Sequence, residues 1–294
     1  MAAAALAAAA PARAQAAALA FLAVGDWGRE GGRSQSAVAQ AMAQAARETG
    51  SQFVLSVGDN FYPGGVTSSR DPQWRTSFED VYADASLQTP WYAALGNHDY
   101  RGEPEAQLDY GRLAGRWRMP DRHYVVEAAS SADLEIFVLD TTPLVADYGE
   151  ALLRLCHGHA TTPNPEQQLR WFKSQLASSR ASWKVVVGHH PIHSGGRHGG
   201  EPALAQNIEP LLQAHGVQAY VCGHDHALQH IQVGGTHHIC SGAGSSAGAA
   251  MEIAGSRFCA ATPGFALFRL GGSGLELEFR DAQGRTLHQA SLAT

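Results

Sequence analysis

Short apolar runs recur along the chain, each closed by a glycine and followed at once by polar side chains. They cover Ala20 to Val24, Phe53 to Val57, Trp91 to Leu95, Lys184 to Val187 and Val217 to Cys222. Runs of this length, bounded by glycine, predict buried strands of an α/β sheet, whose ligands gather beyond the carboxyl ends of the strands. Between them, Ser34 to Thr49 predicts a helix ended by Gly50. Asn164-Pro165 is an N-cap and first-turn pair for a helix carrying Leu169, Trp171, Phe172 and Leu176. Ile208 to His215 predicts a shorter helix. Near the end the period changes: Phe265 to Leu270 and Leu275, Leu277, Phe279 alternate as strands around a turn at Asp281 to Gly284. Gly64 to Arg70, Arg101 to Glu105 and Ser194 to Glu201 are expected to be loops at the ligand edge that set substrate preference.

Composition adds bounds. With 45% hydrophobic and 16% charged residues, the chain is ordinary for a folded globular protein. A net charge of −6, from 21 basic against 27 acidic residues, argues against nucleic acid as the main partner. Ala2 to Ala10 is apolar but too short to span a bilayer. Ala14-Gln15-Ala16 fits the small-residue cleavage pattern of a secretory signal, although no Lys or Arg precedes Arg13. The expectation is a signal peptide over 1–16 and a single catalytic domain over 17–294, exported to the periplasm or secreted, with no membrane partner and acting as a monomer. The alternative is an Ala-rich tail on a cytosolic protein. Cys222 ends a predicted strand and reads as a buried thiol. Cys240 and Cys259 flank a Gly/Ala/Ser-rich loop that a disulfide between them would close in an oxidising compartment.

The chemistry lies just beyond the end of each run. Gly25 leads to Asp26; Gly58 to Asp59 and Tyr62; Gly96 to Asn97 and His98; Gly188 to His189 and His190; Gly223 to His224 and His226. Singly, an Asp or Asn beside glycine is a turn or cap residue, and a lone Tyr is packing. Alternation along an extending strand would put His224 and His226 on one face. Repeated after every run, these groups point to a metal centre with two ions. One ion would take Asp26, Tyr62 and His226, the other Asn97, His189 and His224, with Asp59 bridging. Mixed oxygen and nitrogen donors suit Fe, Zn or Mn better than Ca, and paired metals suit displacement at phosphorus.

The stretches Gly25-Asp26-Trp27-Gly28, Gly58-Asp59-Asn60-Phe61-Tyr62, Gly96-Asn97-His98-Asp99 and Gly223-His224-Asp225-His226 carry a specific resemblance. The chain resembles the calcineurin-like metallophosphoesterases, and within them the purple acid phosphatases of the small, single-domain, tartrate-resistant type; the tyrosine marks the subgroup. The resemblance implies two packed mixed β-sheets flanked by helices. It implies Fe(III) on Asp26, Asp59, Tyr62 and His226, and a divalent Fe, Zn or Mn on Asp59, Asn97, His189 and His224. It implies an acid phosphatase that hydrolyses phosphate monoesters, small molecules or phosphorylated substrates, with a metal-bound hydroxide. A free tyrosine ionises near pH ~10, so an anionic Tyr62 in acid demands a strong Lewis acid, which favours ferric iron.

His98 is the first candidate proton donor and His198 the second. Asn97, His98, His190 and His198 are candidate substrate contacts, and Asp99 or Asp225 would orient imidazoles, Asp99 keeping His98 charged. His193 stands where the mammalian-type enzymes carry an aromatic residue and reads as a solvated loop position. Cys156 sits where those enzymes have half a disulfide whose partner falls near Ala203, so that bridge is not expected. His123, His157, His159, His215, His230, His237, His238 and His288 receive no role. A phosphodiesterase on the same site and a non-catalytic iron redox protein are the alternatives.

Overall fold

The computed structural model describes residues 19–113, 115–126, 129, 133–145 and 164–292. Its strands are β1 (Leu19–Val24), β2 (Phe53–Val57), β3 (Trp91–Ala94), β4 (Trp117–Arg118), β5 (Tyr124–Val125), β6 (Leu134–Val138), β7 (Trp183–Val187), β8 (Ala219–Cys222), β9 (Leu228–Val233), β10 (Thr236–Ser241), β11 (Ser256–Ala260), β12 (Gly264–Gly271), β13 (Gly274–Asp281) and β14 (Thr286–Ser291). They form two 7-stranded mixed sheets, ordered β14-β13-β12-β1-β2-β3-β4 and β11-β9-β10-β8-β7-β6-β5. In the first, β1 to β4 run parallel while β12 pairs antiparallel with β1; in the second, β6, β7, β8 and β10 run parallel. The helices are α1 (Gln35–Thr49), α2 (Pro104–Leu113), α3 (Pro165–Ser178), α4 (Pro202–Asn207) and α5 (Glu209–Ala214).

The second sheet shows why its strands read as continuous apolar runs. Ile136, Val138, Val185, Val187, Ala219, Val221 and Ile239 turn inward to the large core shared with the first sheet. Their neighbours Phe137, Val186, Tyr220, Cys222 and Cys240 turn outward to pack with Phe172, Leu176, Leu204 and Leu212 of the helices. A sheet covered on both faces has no polar side to mark it. Helix α1 ends as expected, with Gly50 left-handed (φ 64°) and its N–H on the Ala46 carbonyl. Asn164 caps α3 by accepting the Gln167 N–H, ahead of Pro165.

Three expectations change. The stretch expected as a loop from Arg101 to Glu105 runs into α2, which starts at Pro104. His224 and His226 lie beyond the end of β8, in a turn where the Asp225 N–H bonds the Gly223 carbonyl and the Ala227 N–H bonds that of Asp225. Strand alternation therefore does not align them. Finally, Cys222, Cys240 and Cys259 are free thiols. Cys240 on β10 and Cys259 on β11 both pair with Gln229 of β9, one from each side. Two strand spacings, roughly 9–10 Å, separate their backbones, beyond a disulfide's reach. Cys156 and the 1–16 segment lie outside the described residues.

Candidate metal centre

The side chains gather where β1, β2, β3, β7 and β8 end. Tight turns bring them inward, and the backbone is held in unusual conformations to do so: Asp26, Asp59 and His224 have φ of 60°, 50° and 69°. Non-glycine residues rarely occupy this left-handed region, and where they do the surrounding structure must enforce it. The Asp26 N–H bonds the Gly58 carbonyl, and the His224 N–H bonds Asp26 Oδ2 at 2.9 Å. Two glycines are required by close approach. A Cβ on Gly58, itself at φ 91°, would stand 2.5 Å from His189 Nδ1, and one on Gly96 would stand 2.3 Å from Asp59 Oδ1.

Asp26, Asp59, Tyr62 and His226 form one half of the cluster. Tyr62 Oη lies 2.8 Å from Asp26 Oδ1, 2.8 Å from Asp59 Oδ2 and 3.2 Å from His226 Nε2. One phenolic proton is thus shared between two buried carboxylates. Burial, Asp26 and Asp59 together push the Tyr62 phenol well above its ordinary value. Ionising it in this setting needs a cation placed among the same oxygens. His226 Nδ1 is 3.0 Å from the Ser246 hydroxyl, leaving Nε2 turned to the carboxylates.

Asn97, His189 and His224 form the other half. His189 is fully buried, and its Nδ1–H donates to the Val57 carbonyl at 3.0 Å. Its Nε2 meets Asn97 Oδ1 at 3.2 Å, His224 Nδ1 at 3.3 Å and Asp59 Oδ1 at 3.4 Å. Fixing one imidazole nitrogen on a carbonyl and aiming the other at carboxylates is how proteins prepare a metal ligand. Burial opposes charge on His189, yet Asp59 overcomes it and raises its pKa to about 10. The same contact, against burial, holds Asp59 below the ordinary carboxylate range. Burial and the neighbouring His189 lower His224 to about 2. The carboxylates demand positive charge here, and Asp59 turns one oxygen to each half, Oδ2 to Tyr62 and Oδ1 towards His189. The donor set fits two cations: oxygen-rich on one side, nitrogen-rich on the other.

The second tier departs from expectation. Asp99 does not orient an imidazole or charge His98. Its oxygens accept the N–H groups of Asn60, Phe61 and Gly96, bracing the two ligand turns. Burial, then Asp59, raise it to about 7. Asp225 likewise binds the loop at 194–198, taking the Ser194 hydroxyl and the His198 N–H. His190 is fully buried, its ring 4.6 Å from that of His224 and its Nδ1 2.9 Å from the Thr141 hydroxyl. One of its ring nitrogens groups with those of His189 and His224, all within 4.8 Å of one another, so it stands beside the nitrogen-rich half of the cluster. His98 is partly exposed and His198 exposed, so the cluster opens to solvent on their side. His98 Nδ1 is 2.7 Å from the Pro63 carbonyl and Nε2 is 3.9 Å from Asp59 Oδ2; the exposed His198 ring is 4.4 Å from that of His224.

Sequence reading missed Arg29, whose guanidinium lies 3.7 Å from the centre of the Tyr62 ring and is anchored on Ser245. Its only signal was adjacency to Gly25-Asp26-Trp27-Gly28. Thr141 and Ser246, which hold the His189 backbone and the His226 ring, come from segments with no motif.

This fold and this cluster define a binuclear metallohydrolase. Residues 19–228 match the calcineurin-like phosphoesterase family, and the chain belongs to it. It is similar to purple acid phosphatase 17 of Arabidopsis thaliana, at 40% identity over 235 residues, 77% of this chain and 68% of that protein. It is also similar to human tartrate-resistant acid phosphatase type 5, at 37% identity over 238 residues, 78% of this chain and 73% of that protein. A solved structure described as GAP50, the anchor in the inner membrane complex of Plasmodium, superposes with TM-score 0.82 at 27% identity, over 94% of this chain and 89% of that one.

Proposed function

We propose that the chain is an acid phosphatase that hydrolyses phosphate monoesters at a binuclear Fe(III)–M(II) centre. Asp26, Asp59, Tyr62 and His226 would hold the ferric ion, and Asp59, Asn97, His189 and His224 the divalent Fe, Zn or Mn. The observation that carries this reading is Tyr62 Oη lying 2.8 Å from both Asp26 and Asp59. When bound, the metals would supply an activated water and positive charge against the phosphoryl oxygens.

The chain's own groups supply the rest. With Nδ1–H held by the Pro63 carbonyl, His98 turns Nε2 towards the opening beside Asp59, where its proton can pass to the leaving oxygen. His198 borders the same opening, and its backbone is fixed by Asp225. Its exposed imidazole is suited to contact the ester group, while Asn97 Oδ1 is engaged with His189 at the floor. Arg29, stacked on Tyr62, adds positive charge next to the phenolate that iron requires.

Comparing turnover of an aryl phosphate monoester with the matching diester over a range of acid and neutral pH tests the reading. Monoester preference in acid is expected; preference for the diester overturns it. The mature chain is proposed to start near Ala17 after export, supported by Ala14-Gln15-Ala16. Among the described residues no helix is long and apolar enough to cross a membrane.

A further inference from the structure

Outside this centre, one set of side chains has donors, geometry and an unexplained buried group together. His193 Nε2 lies 2.7 Å from Glu209 Oε1, and His238 Nε2 lies 3.9 Å from the same oxygen. The three ligand atoms fall within 4.8 Å of one another. They come from separate elements: His193 from the loop after β7, Glu209 from the first turn of α5 and His238 from the middle of β10.

An ion pair between His193 and Glu209 accounts for the short contact but not for His238. That imidazole is 1% exposed, and neither ring nitrogen has a hydrogen-bond partner among the described residues. Its backbone is locked in the sheet between Tyr220 and Ile231. Buried polar atoms of a native fold are ordinarily paired. An apolar side chain would suit this face, where Tyr220 and the helices pack. An imidazole with a bare ring nitrogen aimed near a carboxylate is what a cation requires.

We infer that His193, Glu209 and His238 bind a zinc ion, separate from the dinuclear centre, that pins the loop bearing His198 to the second sheet. Two imidazoles and one carboxylate form a zinc donor set that leaves a fourth position open. Two ligands at about 2.1 Å from a tetrahedral ion stand about 3.4 Å apart, between the 2.7 and 3.9 Å seen here. Side-chain exposures of 26% for His193 and 15% for Glu209 give the ion an entry path and the fourth position access to water. The loop from 189 to 198 carries His189 at its start and His198 at its end. A zinc between them at His193 would stiffen the edge of the substrate opening.

The test uses the holoenzyme with its dinuclear centre filled, equilibrated with excess zinc and desalted. Metal counting should find one zinc per chain beyond the dinuclear pair. Anomalous diffraction at the zinc edge should place it on His193, Glu209 and His238. Zinc should also raise the melting temperature of the wild type. His193→Ala and Glu209→Gln, both at accessible positions, should each weaken this zinc by roughly 100-fold or more and abolish the melting shift. The dinuclear metals should remain in both variants. No additional zinc in the wild type, or the same zinc and shift in both variants, overturns the inference and leaves His193–Glu209 as an ion pair alone. Because the readout is the dependence on His193 and Glu209, its failure is distinct from any failure at Tyr62 or Asp59.

Discussion

Histidines occupy two contrasting regions of this molecule. At the strand ends, His189, His224 and His226 turn a nitrogen towards Asp26, Asp59 or one another around shared carboxylates. On the far strands, His230 links His288 at 3.0 Å and His237 at 2.8 Å, an imidazole chain joining β14 of the first sheet to β9 and β10 of the second. Composition treats these side chains alike. The carboxylates separate them: Asp59 raises His189 to about 10, whereas burial, His237 and His288 lower His230 to about 3. His189, facing a carboxylate, favours positive charge; His230, among imidazoles, stays neutral, and so does His224 within the cluster, so nearness to Asp26 and Asp59 rather than charge marks the site.

The strongest way to break this contrast is to remove the carboxylate that creates it. Asp59→Asn should strip both ions, since Asp59 turns one oxygen to each half, and lower turnover by roughly 10³-fold or more. Metal analysis checks it; one full ion with surviving activity refutes the bridge. Tyr62→Phe should act on one half only. With iron bound, tyrosinate-to-iron charge transfer is expected to give a violet to pink colour, which Tyr62→Phe should bleach while measurable hydrolysis persists from the intact His189–His224–Asn97 side.

His98→Ala should separate chemistry from metal binding. Turnover of alkyl phosphates should fall by about 10²- to 10⁴-fold, that of activated aryl phosphates much less, with metal content unchanged. Equal slowing of both classes would make His98 a phosphate-positioning group and His198 the better acid. The smallest effect belongs to the other region. The folded pKa of His230 lies below its unfolded value near 6.5. The unfolded chain therefore binds more protons between about pH 6.5 and about 3, and stability falls as pH drops through that window. His230→Gln should flatten the decline in melting temperature across it. An unchanged slope would show that the imidazole chain does not govern acid stability.

Much of this was legible in the sequence where one residue determines one local outcome. Apolar runs closed by Gly25, Gly58, Gly96, Gly188 and Gly223 marked the strand ends within a residue or two. Gly50 and Asn164 marked helix ends because their capping chemistry is local. The short strands β4 and β5 and the hairpin of β9 and β10 escaped notice, since pairing partners rather than their own pattern define them. Within the site, the residues that converge were readable from glycine-led motifs, but their supports were not. Asp99 looked like a partner for His98, yet three-dimensional turns aim it at backbone N–H groups. His190 shares a motif with His189, and only the fold shows its ring packed 4.6 Å from that of His224. His238 is silent in a strand of ordinary appearance, and only its burial beside Glu209 gives it meaning.

The proposed centre pairs a ferric ion held by Tyr62 with a divalent ion held by His189 and His224. Quantitative metal analysis with a visible spectrum of the purified protein tests it most directly. Two metals per chain are expected, at least one of them iron, with a violet to pink band that Tyr62→Phe removes. A colourless, active wild-type protein carrying only zinc or manganese would contradict it.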